Sequence, residues 1–342
     1  IASVYGDDIR EILRIIQAHD FAETHDGSDE TRDLMPDYID MLKSKFSFPK
    51  PLKIVIDAGN ATAGPVAPQL WRDLGMNVVE LYCEPDGRFP NHLPDPTVPK
   101  YMKDLQKKVL EEKADLGIGY DGDSDRVGAV DNKGRLIFAD TLLALFSRDV
   151  LKNKPGSEII FDVKCSRALP VEIKKYGGIP VMWKTGHSLL KAKMKETGAP
   201  YAGEMSGHMF FADSFYGFDD GIYASGRLLQ ILTHTDKSLA DLVDEIPSYP
   251  STPEIRVNCA DHAKFDVVQR LADDFKENKV IDIDGVRVEF EDGWGLVRAS
   301  NTQPTLVLRF EAESHERLQA IIDLFKQTLK KYTAVEFDEN DF

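Results

Sequence analysis

The stretch Leu116-Gly-Ile-Gly-Tyr120-Asp121-Gly122-Asp123-Ser124-Asp125-Arg126-Val127-Gly-Ala-Val130 carries an apolar, glycine-spaced run into three carboxylates at alternate positions and leaves through a second apolar run. The pattern predicts strand, tight loop, strand. Carboxylates this crowded repel one another, and a hard divalent cation relieves the repulsion by taking their oxygens as ligands. A calcium-binding EF-hand loop is a poor match, because its sixth position is Arg126 where Gly is required and its twelfth is Asn132 where a bidentate Glu belongs. Few protein ligands beside an Arg favour Mg²⁺ shared with a phosphate. The plainer alternative is a solvated acidic turn, since Asp and Gly are turn formers.

Outward from this loop the chain alternates strands and helices. Leu52-Lys-Ile-Val-Ile-Asp57 followed by Ala-Gly59-Asn60-Ala-Thr-Ala-Gly64 reads as strand, glycine-rich turn and helix, the opening of a parallel α/β unit. The turn lacks the Lys of a P-loop and the spacing of a dinucleotide fold, which favours a structural role. A polar hinge is expected at Asn132-Lys133-Gly134, after which Ile137 and Phe138 begin a second unit. Its strands deliver Lys164-Cys-Ser-Arg167, Lys184-Thr-Gly-His187 and Glu204-Met-Ser206-Gly-His208 to loops, where α/β folds place ligands. Pro247, Pro250 and Pro253 mark a further boundary, and the remaining strands and helices form a small α+β unit containing Arg298-Ala-Ser300-Asn301-Thr302. The expected class is therefore α/β: consecutive mixed-sheet α/β domains at 34–134 and 135–247, then an α+β domain at 248–342. Residues 1–33 hold an amphipathic helix, Asp7 to Ala18, with nothing local to pack on, and a linker.

Composition limits the ligands. The chain has 342 residues, and 58 Asp and Glu against 42 Lys and Arg give a formal net charge of −16. That balance argues against nucleic acid or an anionic membrane, so a phosphate must be gathered by local clusters of Arg, Lys and backbone N–H groups. Cys83, Cys165 and Cys259 form no metal pattern and cannot pair completely, as in a reducing, cytoplasmic compartment. No secretory or membrane-spanning apolar segment is evident.

Asp121-Gly-Asp123-Ser124-Asp125-Arg126 resembles the metal loop of the α-D-phosphohexomutases, whose commoner form has Gly where Ser124 stands. All five polar loops occur in the same order in the bacterial phosphomannomutase/phosphoglucomutase branch, and Gly203-Glu-Met-Ser-Gly-His208 is closer to that branch than to phosphoglucosamine mutase. The resemblance implies that Asp121, Asp123 and Asp125 ligate Mg²⁺ beside Arg126, and that Lys164 and His187 line the reacting centre as candidates for proton transfer. It further implies that Glu204 and Ser206 hold ring hydroxyls, that His208 of the same loop also binds substrate, its plainer role being to orient the loop, and that Arg298, Ser300, Asn301 and Thr302 bind the phosphate that is not reacting. The ligands implied are hexose phosphates and a hexose 1,6-bisphosphate, handled by a monomer. Ser124 in place of Gly suggests a backbone that does not require positive φ. Arg167 reads as a strand-end ion-pair partner.

The family's phosphoserine loop, Thr-x-Ser-His-Asn-Pro, does not occur in these residues. The expectation is three domains of a four-domain mutase, able to bind but not to turn over. Two competing readings remain at this stage: a haloacid-dehalogenase-type phosphatase, whose nucleophile would be Asp121, and a sugar-phosphate binding module without catalysis.

Overall fold

The structure, a computed structural model, describes residues 4–22, 27–300 and 303–338. Helix α1 (Asp7–Ala18) keeps Ile9, Ile12, Leu13 and Ile16 exposed and buries no residue, whereas α2 (Met35–Lys45) inserts Leu42 into the core. The first sheet is built by β1 (Lys53–Asp57), α3 (Ala67–Asp73), β2 (Asn77–Leu81), α4 (Lys103–Glu112), β3 (Leu116–Tyr120), β4 (Val127–Asp131) and β5 (Leu136–Ile137). Its order is β2-β1-β3-β4-β5, with β2, β1 and β3 parallel and the last two strands antiparallel. Every residue of β3 and β4 is buried, which is why both read as continuous apolar runs.

Residues 132–134 are not a hinge. They turn the β4–β5 hairpin, with Gly134 at φ 77° and Asp131 accepting the N–H groups of Lys133 and Arg135, so Leu136 and Ile137 close the first sheet. The buried carboxylate of Asp131 satisfies the turn's donors, a local solution that polar composition alone does not distinguish from a linker.

The second sheet follows α5 (Ala139–Asn153) and contains β6 (Glu158–Asp162), β7 (Ile179–Trp183), β8 (Tyr201–Gly203) and β9 (Met209–Phe211), in the order β7-β6-β8-β9. Helices α6 (Ala168–Lys175) and α7 (His187–Thr197) are its crossovers, and α8 (Gly221–Thr233) and α9 (Leu239–Asp244) lead onward. Only the β8–β9 pair is antiparallel. One continuous core joins the two sheets, with Trp71, Phe146, Tyr201 and Phe211 fully buried.

The third sheet, β11-β12-β13-β14-β10-β15, is antiparallel throughout. It comprises β10 (Ile255–Cys259), β11 (Lys279–Ile281), β12 (Val286–Phe290), β13 (Gly293–Ala299), β14 (Thr305–Ala312) and β15 (Val335–Glu336), with helices α10 (Lys264–Asp274) and α11 (His315–Leu329). Leu271, Phe310 and Phe325 lie in its separate core. A small cluster of Val163, Trp294 and Leu296 joins it to the second sheet. Buried Arg287 lies 3.7 Å from the Trp294 ring centroid and donates to the carbonyls of Val163 and Cys165, while Arg309 donates to the Lys164 carbonyl and to Asp140. Two guanidinium groups thus satisfy carbonyls of the loop after β6, fixing it against the third sheet.

Candidate active site

The β3–β4 loop presents one oxygen each of Asp121, Asp123 and Asp125 within 4.8 Å of one another. Asp121 is buried and ion-paired to Arg126 Nε at 3.0 Å, and its other oxygen accepts the Arg126 backbone N–H. Burial pushes its carboxyl up to about 7, against the pull of Arg126, with the Asp125 and Asp123 charges raising it further. Asp125 Oδ1 is buried with no hydrogen-bond partner among the described residues. A buried oxygen without a partner beside two further carboxylates is what a hard divalent cation stabilises, so the donor set fits Mg²⁺.

Ser124 corrects the expectation drawn from its identity: its φ is +66°, in the left-handed region. Its hydroxyl lies 2.7 Å from that of Thr62, and its carbonyl accepts the N–H of Gly221 at 2.9 Å. A Cβ at Gly221 would meet that carbonyl oxygen at 2.8 Å, so glycine is required where α8 begins against the β3–β4 loop. These contacts hold a conformation that Ser adopts only at a cost of about 1–2 kcal/mol.

The loop after β8 closes over the β3–β4 loop. Arg126 and His208 form an isolated antiparallel bridge, and Val127 donates to the Gly207 carbonyl. His208 Nδ1 lies 3.1 Å from Asp219 and 3.6 Å from Asp125, and its ring stacks on His187 with centroids 5.5 Å apart. Burial alone would lower the His208 pKa, but the carboxylates of Asp219, Glu204 and Asp125 more than offset it and the net direction is up. Asp219 also takes the Lys191 ammonium at 2.9 Å and faces His187 Nδ1 at 3.4 Å. Burial would raise Asp219, yet the His208 and Lys191 cations hold it well below the usual carboxylate range.

Glu204 accepts from the Gly186 N–H at 2.6 Å and the Ser206 hydroxyl at 2.8 Å. Its burial and the nearby Asp162 charge nevertheless raise its pKa. Asp162, fully buried at the end of β6, receives the Met205 N–H, the Thr185 hydroxyl and the Cys165 thiol. Lys164 Nζ is 4.0 Å from Asp162 and 3.2 Å from Glu254. Burial pulls the Lys164 pKa down, but Asp162, Glu254 and Glu204 together raise it above the ordinary value, so the group is an ammonium at neutral pH. Arg298 is buried and paired with Asp284, and Asp284 also accepts the Thr185 N–H. Arg167 lies 3.8 Å from Glu313 and donates to the Glu291 carbonyl.

Comparison with known proteins places this fold. Models of the phosphoglucomutase/phosphomannomutase family match almost end to end: the alpha/beta/alpha domain II at residues 36–134, the alpha/beta/alpha domain III at 138–249 and the C-terminal domain at 254–327. The chain belongs to that family. The phosphomannomutase/phosphoglucomutase of Pseudomonas aeruginosa is 50% identical over 327 residues, 95% of this chain and 70% of that one. A phosphoglucomutase of Neisseria gonorrhoeae is 44% identical over 330 residues, 95% and 72% of the two chains. The solved phosphoglucomutase/phosphomannomutase family protein of Burkholderia thailandensis superposes with a TM-score of 0.91 at 45% identity, covering 98% of this chain and 73% of that one.

Within this phosphohexomutase fold the contacts above link Asp125, His208 and His187 through Asp219, and Glu204, Lys164 and His187 through the loop 184–187 and Asp162. Ser300 is buried beside Arg298 on the third sheet; Asn301 and Thr302 lie outside the described residues. Asp162, Asp219 and Asp284 escaped the sequence reading. The available signals were an Asp ending an apolar strand, an Asp-Asp pair before a helix and an Asp-Gly hairpin turn, each of which is also ordinary. Among the described residues, no helix is long and apolar enough to cross a membrane.

Proposed function

We propose that this site interconverts the 1-phospho and 6-phospho forms of glucose and mannose through a hexose 1,6-bisphosphate, with Mg²⁺ held by Asp121, Asp123 and Asp125. The observation that carries the reading is the single network running from the three-carboxylate loop through His208, Asp219 and His187 to Gly186, Glu204 and Arg298. Bound Mg²⁺ would neutralise charge on the transferring phosphoryl group. Arg126 and Lys164 add fixed positive charge at the reacting centre. Because Lys164 is held protonated, it donates rather than accepts, which leaves His187 as the base for the sugar hydroxyl. Glu204 and Ser206 hold ring hydroxyls common to glucose and mannose, and Arg298 and Ser300, with Asn301 and Thr302, bind the distal phosphate in a fork. In this reading the three sheets with their helices act as three walls of one cleft in a cytoplasmic monomer, with His208 in the sugar loop.

These 342 residues contain no Thr-x-Ser-His-Asn-Pro loop; the Ser124 hydroxyl is paired with that of Thr62, and Ser206 donates to Glu204, the carboxylate assigned here to the ring hydroxyls. They should therefore bind glucose 1-phosphate and mannose 1-phosphate without isomerising them. The test pairs calorimetry with a coupled mutase assay containing Mg²⁺ and glucose 1,6-bisphosphate. Binding without turnover is expected. Absence of binding rejects the assignment, and turnover by these residues alone would reveal a nucleophile among them. Binding that stays silent even when a phosphoserine domain is supplied would favour the non-catalytic module.

A further inference from the structure

We propose that Asp284 is a positioning residue that aims Arg298 at the phosphate and ties it to the loop carrying His187; the proposal rests on the assignment of Arg298 as a phosphate ligand. Asp284 sits in the turn between β11 and β12, ahead of Gly285 at φ 84°. A Cβ on Gly285 would stand 2.5 Å from the Val297 carbonyl oxygen and 2.6 Å from Arg298 Cβ, so only glycine lets the turn lie on β13 at this point. Ile283 packs against the Val163, Trp294 and Leu296 cluster and anchors the turn at the junction between the second and third sheets.

The turn delivers a carboxylate with two recipients. Asp284 Oδ2 accepts from Arg298 Nε at 3.1 Å and from the Thr185 N–H at 3.0 Å, while Oδ1 faces Arg298 Nη2 at 3.4 Å. One edge of the guanidinium is thereby occupied, and its Nη1 group makes no hydrogen bond among the described residues. A planar fork held along one edge presents its other edge in a fixed direction, which suits a phosphate oxygen pair. A carboxylate next to an anion site weakens the local attraction for phosphate. Its presence is accounted for by orientation, not by charge.

The same carboxylate reaches the second sheet. Thr185 also donates its hydroxyl to Asp162, and the next residue, Gly186, donates its N–H to Glu204. Three carboxylates thus pin the segment that opens α7 at His187, and among them only Asp284 comes from the third sheet. Phosphate on Arg298 and the placement of His187 and Glu204 are consequently joined through one side chain.

Two ligands separate the two roles. Inorganic phosphate, titrated without Mg²⁺ so that the metal loop cannot recruit it, reports the aim of Arg298; glucose 1-phosphate with Mg²⁺ also needs the loop 184–187. Asp284→Asn keeps the shape but offers one acceptor where three donors converge. It should weaken glucose 1-phosphate by about tenfold or more, in line with losing hydrogen bonds to a charged group, and weaken inorganic phosphate by less. Asp282→Asn in the same turn should change neither. In unmutated protein, phosphate titration should move the Thr185 amide resonance and the Arg298 Nε resonance with one apparent Kd. An unchanged glucose 1-phosphate Kd in Asp284→Asn, or a Thr185 amide that ignores phosphate while Arg298 responds, overturns the proposal and leaves the site assignment intact. Failure of the unmutated protein to bind either ligand instead rejects the assignment of Arg298.

Discussion

The hydroxyls of Ser124 and Thr62 lie 2.7 Å apart, joining the β3–β4 loop to the turn after β1 while Ser124 holds φ at +66°. Ser124→Gly relieves the left-handed backbone but loses this hydrogen bond and adds unfolded-state entropy. The opposing effects are each about 1 kcal/mol, so the net change should stay within about 1 kcal/mol. Ser124→Val puts a β-branched side chain in the same backbone and should cost about 2 kcal/mol or more. Denaturant unfolding of both variants checks the ordering; equal stability would mean that the loop relaxes out of this conformation.

Asp123 is exposed and contributes one of three clustered carboxylate oxygens. Asp123→Asn keeps an oxygen there but removes a charge, and should weaken Mg²⁺ by about tenfold or more while leaving the fold unchanged. Calorimetry with Mg²⁺ decides it, and an unaltered affinity would remove Asp123 from the ligand set.

His92 faces two acceptors, Asp57 at 3.0 Å from Nε2 and the Leu93 carbonyl at 2.9 Å from Nδ1, which both ring nitrogens satisfy together only when protonated. The Asp57 hydrogen bond raises the His92 pKa, and burial opposes it without prevailing. A His raised on folding stabilises fully below its unfolded pKa of about 6.5, and the contribution is lost as pH rises through the raised folded value. The difference in melting temperature between wild type and His92→Gln should therefore be largest below the unfolded pKa and shrink as pH rises through the raised folded value. A pH-independent difference would assign His92 a packing role only.

Glucose and mannose phosphates differ only at C2, so ring contacts elsewhere discriminate weakly between them. Loss of the buried Glu204 carboxylate, which accepts from Gly186 and Ser206, should cost both 1-phosphates alike, about 2 kcal/mol or more. Calorimetric titration of Glu204→Ala with each sugar is the check. A variant impaired with one epimer alone would move Glu204 to the C2 position.

The sequence by itself determined the two mixed-sheet α/β units followed by an α+β unit, and the clustering of three carboxylates in the turn between two apolar strands, because apolar periodicity and clustered charge are local properties carried by consecutive residues. It was misleading at Ser124, where tertiary contacts from Thr62 and Gly221 impose a backbone that residue identity alone argues against. It was misleading again at residues 132–134, where Asp131 folds a polar segment back into a hairpin. Only the tertiary structure decided that Asp162, Asp219 and Asp284 are the points where separate loops meet. Asp284, for example, takes its donors from Arg298 and Thr185, 14 and 99 residues away, and such distances leave no periodic trace in the chain.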